Sequence, residues 1–334
     1  VHLVRFAAAE LDQVVAQINS TGFGLTAGIH SRLAERADKL ARQLQVGNVY
    51  INRNMVGAVV GVQPFGGRGL SGTGPKAGGP LYLSRLQKPA ATPHSMQSCW
   101  PAVAEQPPLT VVNRPLQSWQ TVTLAERERQ LRSVLAMLKL PGEDRAELER
   151  LADTLFSQAR TWLARPLGLP GPTGERNELH FEPRGWLLYL VAGRQHRHLY
   201  QALLSALISG NGLIIACLGH TPEWLKAMQQ TALPLQIVSF NPAFLAHPAL
   251  SGVISSPDCG YNALVQQALV TRPGALLPLI CEPGGQRLLQ RMWLEKTLTV
   301  NTTAIGGNAS LMLIEDSAPS GAMPPQGLAS ALGA

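Results

Sequence analysis

The run from Leu199 to Gly219, LYQALLSALISGNGLIIACLG, carries no charged residue and constrains the fold more than any other stretch of the chain. By length alone it would pass for a membrane span. The Ser-Gly-Asn-Gly sequence at Ser209 to Gly212 argues otherwise, because glycine and asparagine stop a helix and open a turn. The run therefore divides into a helix over Leu199 to Ile208 and a β-rich strand over Leu213 to Cys217. A helix and a strand that are both apolar are both buried, which is the arrangement of a parallel sheet covered by helices.

The alternation continues on either side. Trp186 to Val191, Leu235 to Val238, Gly252 to Ser255 and Leu276 to Ile280 read as strands, and Pro222 to Gln230 and Tyr261 to Leu269 as helices. Upstream, leucines at helical spacing predict helices over Leu124 to Leu140 and Glu143 to Ala164, separated by Pro141-Gly142. Gln87 to Thr121 carries Pro89, Pro93, Pro101, Pro107, Pro108 and Pro115 without sustained periodicity, so it reads as a linker or an extended crossing segment.

The first part reads as a strand over residues 3 to 6, a helix over Glu10 to Asn19 and a strand over Leu25 to His30. A helix over Ser31 to Gln45 follows, capped by Ser31 and ended by Gly47, then a strand over Val49 to Asn52 and a Gly/Pro-rich loop over Gln63 to Gly79. Five segments result: 1–86, a Pro-rich linker 87–122, a helical connector 123–172, an α/β domain 173–315 and a disordered tail 316–334.

With 45% hydrophobic and 15% charged residues over 334 positions, the chain is a globular protein with a prior of about two domains. The net charge of +7 is dispersed. Its tightest cluster, Arg194, His196, Arg197 and His198, has no interleaved aromatics to stack bases, so it reads as a solvated basic loop and does not favour a nucleic-acid partner. Cys99, Cys217, Cys259 and Cys281 lie far apart with no metal-ligand spacing, which points to a reducing, cytoplasmic setting and no metal site. Cys217, Cys259 and Cys281 read as buried small hydrophobes. Asn52 and Asn54, just past a strand, read as capping or interface residues rather than catalysts.

Val46 to Leu86, VGNVYINRNMVGAVVGVQPFGGRGLSGTGPKAGGPLYLSRL, resembles the closing segment of an aldehyde dehydrogenase. GTGPKAGGP at Gly72 to Pro80 is the most specific part, similar to the loop by which glutamate-semialdehyde dehydrogenases hold the α-carboxylate of the substrate on backbone N–H groups. The resemblance makes Ala77, Gly78 and Gly79 the anchor positions. It makes Phe65 an apolar wall for the aldehyde chain, and leaves Lys76 either adding positive charge or simply solvated.

The second half echoes the same plan in degenerate form. PRGWLLYLVAG followed by ALLSALISGNGLIIACLG resembles the first nucleotide-domain unit of the family, and LTVNTTAIGGNASLM at Leu298 to Met312 echoes GNVYINRNMVGAVVG, the oligomerisation strand. A Rossmann glycine fingerprint is missing there. The fold class implied is α/β: the C-terminal part of an aldehyde dehydrogenase domain followed by a degenerate aldehyde-dehydrogenase-like, Rossmann-type domain.

The two halves together resemble the long bifunctional proline-oxidising enzymes of that superfamily. The resemblance implies a parent protein that oxidises proline with FAD and L-glutamate γ-semialdehyde with NAD, as a homo-oligomer without a membrane span. In that family the nucleophilic cysteine, the general-base glutamate and the ribose-holding glutamate precede the segment matched here, so the chain is expected to be a carboxy-terminal fragment without catalytic residues. It would supply the anchor loop, the oligomerisation strand and a tunnel-sealing domain. The alternative is a stand-alone, non-catalytic assembly module.

Overall fold

The computed structural model describes residues 3–72, 74–86, 96–102, 108–111, 113–192, 196–219 and 221–303. Among these, helix α1 (Leu11–Ser20) leads to β1 (Phe23–Gly24) and β2 (Thr26–Ile29), then α2 (Ala34–Gln43), β3 (Asn48–Ile51) and β4 (Arg68–Gly69). Next come α3 (Asn113–Thr121), α4 (Leu124–Met137) and α5 (Gly142–Leu163), and the strands β5 (Leu167–Leu169), β6 (Glu175–Pro183) and β7 (Trp186–Ala192). The rest alternates: α6 (His196–Ile208), β8 (Gly212–Leu218), α7 (Glu223–Gln229), β9 (Leu235–Ser239), β10 (Leu250–Ser255), α8 (Asn262–Thr271), β11 (Leu279–Ile280), α9 (Gly285–Arg291) and β12 (Trp293–Asn301). The expected tail from Asp316, much of the Pro-rich segment, Arg194 and the end of the repeat echo lie outside the described residues.

The chain packs as two units, and they are interleaved rather than consecutive. One draws on Val1–Gln87, Leu167–His180 and Glu295–Ala334, the other on Lys88–Pro166 and Phe181–Leu294. The division at residue 173 expected from sequence is not where the packing divides.

The first unit holds a sheet of order β2-β3-β12-β6-β5. β3 pairs in parallel with β2 on one side and with β12 on the other, Thr297 opposite Asn48 and Val300 opposite Ile51. An apolar two-strand pair is marginal in water, and β12 gives β3 its second partner. Because side chains alternate, one face of this sheet carries Val49, Ile51, Leu298 and Val300 into a core with Val15, Ala37, Ala41 and Leu44 of the helical side. The other face carries Asn48, Tyr50, Thr297 and Thr299, all buried. The strand expected to serve subunit contacts is thus an interior strand whose two edges are occupied within the chain.

The second unit holds an all-parallel sheet of order β11-β10-β7-β8-β9. Strand order runs outward from β7 in both directions, the doubly wound α/β plan with its switch point between β7 and β10. Leu188, Leu190, Ile214, Ala216 and Val253 fill its core together with Phe240 and Phe244. The uncharged run behaves as its composition requires: α6 ends at Ile208, Gly210 takes φ 83°, and the Gly210 and Asn211 N–H groups donate to Leu207 and Ala206 carbonyls at 3.0 and 2.9 Å. That is the Schellman closure of a helix. No helix among the described residues is long and apolar enough to cross a membrane.

Four expectations are corrected. Residues 3 to 6 form no strand, and Leu3 and Val4 are 91% and 73% exposed, because no strand among the described residues lies beside them. Ser31 does not cap α2, which starts at Ala34; its hydroxyl instead accepts from the Leu33 N–H at 3.1 Å. Gly47 does not end α2, which stops at Gln43 with Leu44 extended. The Pro-rich segment includes a core helix, α3, with Leu116 and Trp119 buried.

Candidate functional site

The sequence-predicted site residues fall on the loop between β3 and Pro80, which lies against the polar face of the first unit's sheet. Asn52, at φ 54°, turns the chain out of β3, and its amide exchanges hydrogen bonds with the Ser31 backbone in both directions at 2.9 Å. Asn54 accepts from the Val56 N–H at 3.2 Å. Both asparagines act on local backbone. Arg53 pairs with Glu175 at 2.7 Å, and Gln63 donates to the same carboxylate, so β6 fastens the loop from the far side of the sequence.

Phe65 and Ala77 are brought together directly. Phe65 N–H donates to the Ala77 carbonyl at 3.0 Å and Ala77 N–H to the Phe65 carbonyl at 2.8 Å, an antiparallel bridge. Gly78 follows at φ 68° and Gly79 N–H turns back to the Lys76 carbonyl at 3.1 Å. Of the three anchor amides, those of Ala77 and Gly79 are therefore used inside the loop. The Gly78 N–H has no acceptor among the described residues.

Lys76 is not a solvated lysine. It is 2% exposed, and its ammonium donates to Asn48 Oδ1 at 3.0 Å and to the Gly66 carbonyl at 2.6 Å. Its backbone N–H donates to Glu295 Oε2 at 3.0 Å. Burial pushes the amine down to about 7, against the pull of Glu295 and with a further push from Arg68. No local signal in the sequence marks Lys76 as buried, and Glu295 lies 219 residues away from it.

The sign of the pH dependence follows. Unfolded, this lysine keeps its proton to its ordinary value of 10.5; folded, it holds it only below about 7. The unfolded state binds more protons in between, so stability rises with pH through that window. From pH 7 to about 8.5, where unfolded thiols begin to titrate, the unfolding free energy is expected to rise by up to roughly 2 kcal/mol, at about 1.4 kcal/mol per pH unit. Urea titrations at the two pH values check this, and the rise should vanish in Lys76→Met.

Two of the thiols, Cys217 and Cys281, are shifted away from the thiolate form. Burial raises the Cys217 thiol, and burial with Cys259 and Glu282 nearby pushes Cys281 up to about 12. Cys259 is buried and Cys99 is exposed. Among the described residues no group of three or more His, Cys, Asp or Glu is placed to hold a metal ion.

In the second unit His198 of α6, whose pKa burial lowers, bonds Tyr189 Oη at 2.9 Å through Nδ1 and the Glu282 carbonyl at 2.8 Å through Nε2. Gln201 Oε1 stands where a Cβ on Gly284 would be, 1.7 Å away. The described residues do not form the basic loop expected around Arg197: His198 is buried, and Arg197 pairs with Glu147 at 3.1 Å.

Residues 2–89 match the aldehyde dehydrogenase family. The chain is 37% identical over 323 residues to the bifunctional protein PutA of Rhizobium meliloti, across 94% of this chain and 23% of that protein. It is 46% identical over 82 residues to the 1-pyrroline-5-carboxylate dehydrogenase of Geobacillus thermodenitrificans, across 24% of this chain and 16% of that one. The structure of proline utilization A from Corynebacterium freiburgense aligns with a TM-score of 0.45 and 21% identity, over 88% of this chain and 24% of that one. The chain thus spans less than a quarter of the length of these PutA proteins.

Proposed function

We propose, from the premise that over residues 2–89 the chain belongs to the aldehyde dehydrogenase family, that it is the substrate-anchoring and closing portion of an NAD-dependent L-glutamate γ-semialdehyde dehydrogenase within a bifunctional proline-catabolic enzyme. The observation that carries this is the Phe65–Ala77 bridge, which sets the backbone of an aromatic residue next to the turn at Gly78. An aldehyde with an acid at its far end needs both: an apolar wall for its methylenes and N–H donors for its carboxylate. Phe65 serves as the wall. Ala77, Gly78 and Gly79 form the anchor, with the Gly78 amide as its donor and the neighbouring amides holding the turn. Lys76 sets the loop from beneath.

Aldehyde oxidation also needs a thiolate nucleophile, a base for water and a nicotinamide to take the hydride. The family resemblance puts these groups in other parts of the enzyme, and NAD and the flavin of the proline-oxidising step are assigned there with them. The second unit, a doubly wound sheet, is a degenerate aldehyde-dehydrogenase-like domain that closes the substrate tunnel. The whole enzyme is a cytoplasmic homo-oligomer.

The purified chain, given NAD and L-glutamate γ-semialdehyde, is expected to produce no NADH above the blank, whereas the full-length enzyme carrying it turns over. Phe65→Ala in that enzyme should raise KM for the semialdehyde several-fold. Sustained NADH production by the chain alone would overturn the assignment.

A further inference from the structure

We propose that Lys76 and Glu295 are a pair of positioning residues that clamp the Pro75–Gly79 loop from its two ends of contact, and that substrate-carboxylate recognition depends on that clamp. The proposal rests on the reading of this loop as the anchor. It adds two residues that touch no substrate, one of which comes from a strand near the far end of the described chain.

The geometry supplies two separate ties. Glu295 Oε2 takes the Lys76 N–H at 3.0 Å, fixing the backbone one residue before the bridge. The Lys76 side chain passes under the loop and spends two donors on Asn48 Oδ1 and the Gly66 carbonyl, at 3.0 and 2.6 Å. Asn48 stands on β3 and Glu295 on β12, which are neighbours in the same sheet. Asn48 Nδ2 also reaches the Gly66 carbonyl at 3.2 Å, so the Phe65-Gly66 and Lys76-Ala77 arms are held to one strand. Pro64 is held as well, its carbonyl accepting from Thr297 Oγ1 at 2.6 Å.

Lys76 is a support rather than a ligand for two reasons. It is 2% exposed, so its nitrogen faces the sheet and not the open side of the loop. Its two acceptors are matched by two donors, which a neutral amine also has, so the tie does not require the charge. A loop closed by ties to two strands presents the Gly78 amide already oriented, and ordering cost is then not taken from the binding energy of the substrate.

The test uses the full-length enzyme, with L-glutamate γ-semialdehyde compared against an uncharged aliphatic aldehyde of similar length. Glu295→Ala cuts the backbone tie, Glu295→Gln keeps an acceptor, and Lys76→Met cuts the side-chain tie while keeping volume and removing a buried charge. Glu295→Ala and Lys76→Met are each expected to lower kcat/KM for the semialdehyde about tenfold, mainly through KM. The loss for the uncharged aldehyde should stay under about twofold, and Glu295→Gln should remain near wild type with both. Amide hydrogen exchange over 74–79 should accelerate in Glu295→Ala and not in Glu295→Gln.

Equal losses with both aldehydes, or a semialdehyde KM unmoved in both tie-cutting variants, would overturn the clamp. If Glu295→Ala does not fold, the Lys76→Met kinetics and the Glu295→Gln exchange pattern decide alone. A wild-type enzyme that does not oxidise the semialdehyde would instead remove the functional reading, while the exchange result would still judge the clamp.

Discussion

Gly47→Val is expected to destabilise the first unit by at least about 3 kcal/mol and to pull the Phe65–Ala77 bridge apart. A Cβ at position 47 would lie 2.0 Å from the Gly66 carbonyl oxygen and 3.0 Å from Gly67 Cα. Neither side has room to yield. The Gly66 oxygen is held by Lys76 Nζ at 2.6 Å and Asn48 Nδ2 at 3.2 Å. Gly47 itself is fixed by its N–H on the Gly24 carbonyl and by the Thr297 N–H on its own carbonyl, both at 2.9 Å. Either the loop lifts, losing the ties of Lys76, or the strand shifts and its pairing with β12 goes. Urea unfolding of the chain measures the loss, and exchange at the Ala77 amide shows whether the bridge has opened. A change below about 1 kcal/mol with the bridge intact would mean that the loop adapts more freely than close-packed backbone allows.

The role of Gly47 shows where sequence reasoning reaches and where it stops. Its place after a leucine-periodic helix made it a helix terminator on local grounds, but the reason for glycine is a carbonyl nineteen residues onward, at Gly66. The same holds across the fold. Strands and helices from Trp186 to Ile280 were legible because each is apolar in its own period and bounded by turn residues, and the structure has them within a few residues. β5 and β6 were not, since ERNELHFEP mixes charges into a strand that pairs with β5 on one side and with the distant β12 on the other, and local pattern does not carry that non-local pairing.

Helix α3 hid in a Pro-rich segment because Pro115 looked like a breaker. It sits in the first helical turn, where its missing N–H has no intrahelical partner to lose. The opposite error came from residues 3 to 6, whose β pattern is real but has no strand beside it among the described residues.

At the candidate site, motif resemblance singled out Phe65 and Ala77 to Gly79 without showing that Phe65 and Ala77 lie side by side, which is a property of the bridge alone. The division of labour among the three amides was not legible, because which N–H is consumed internally depends on the bridge and the turn together. Lys76 was open to a charged or a solvated role, and burial rules out the solvated one. Polar side chains report their surroundings poorly from sequence when the groups that bury them come from another part of the chain.

The second large effect is expected from Arg127→Met, which should destabilise the second unit by roughly 3 kcal/mol. Arg127 is 8% exposed, and its guanidinium donates to the carbonyls of Trp119, Gln120 and Ile208, each at 3.3 Å. Those carbonyls belong to the last turns of α3 and α6, where helices leave acceptors without intrahelical donors. A cation at two helix C-termini also meets two partial negative charges, which offsets part of its desolvation. Burial nevertheless lowers its pKa to about 10, so the group remains charged at neutral pH. Methionine keeps much of the stem packing but leaves the Gln120 and Ile208 carbonyls without a donor, at about 1 to 3 kcal/mol each, and the Trp119 carbonyl with the Val122 N–H alone, partly offset by no longer burying a charge. Gly210→Ala attacks the same junction from the other side: its Cβ would lie 2.8 Å from Arg127 Nη2 on a residue at φ 83°. Because the two sites touch, the double variant should cost clearly less than the sum of the two single changes in urea unfolding. Strict additivity, or an Arg127→Met midpoint equal to wild type, would show that the helix ends are satisfied without the guanidinium.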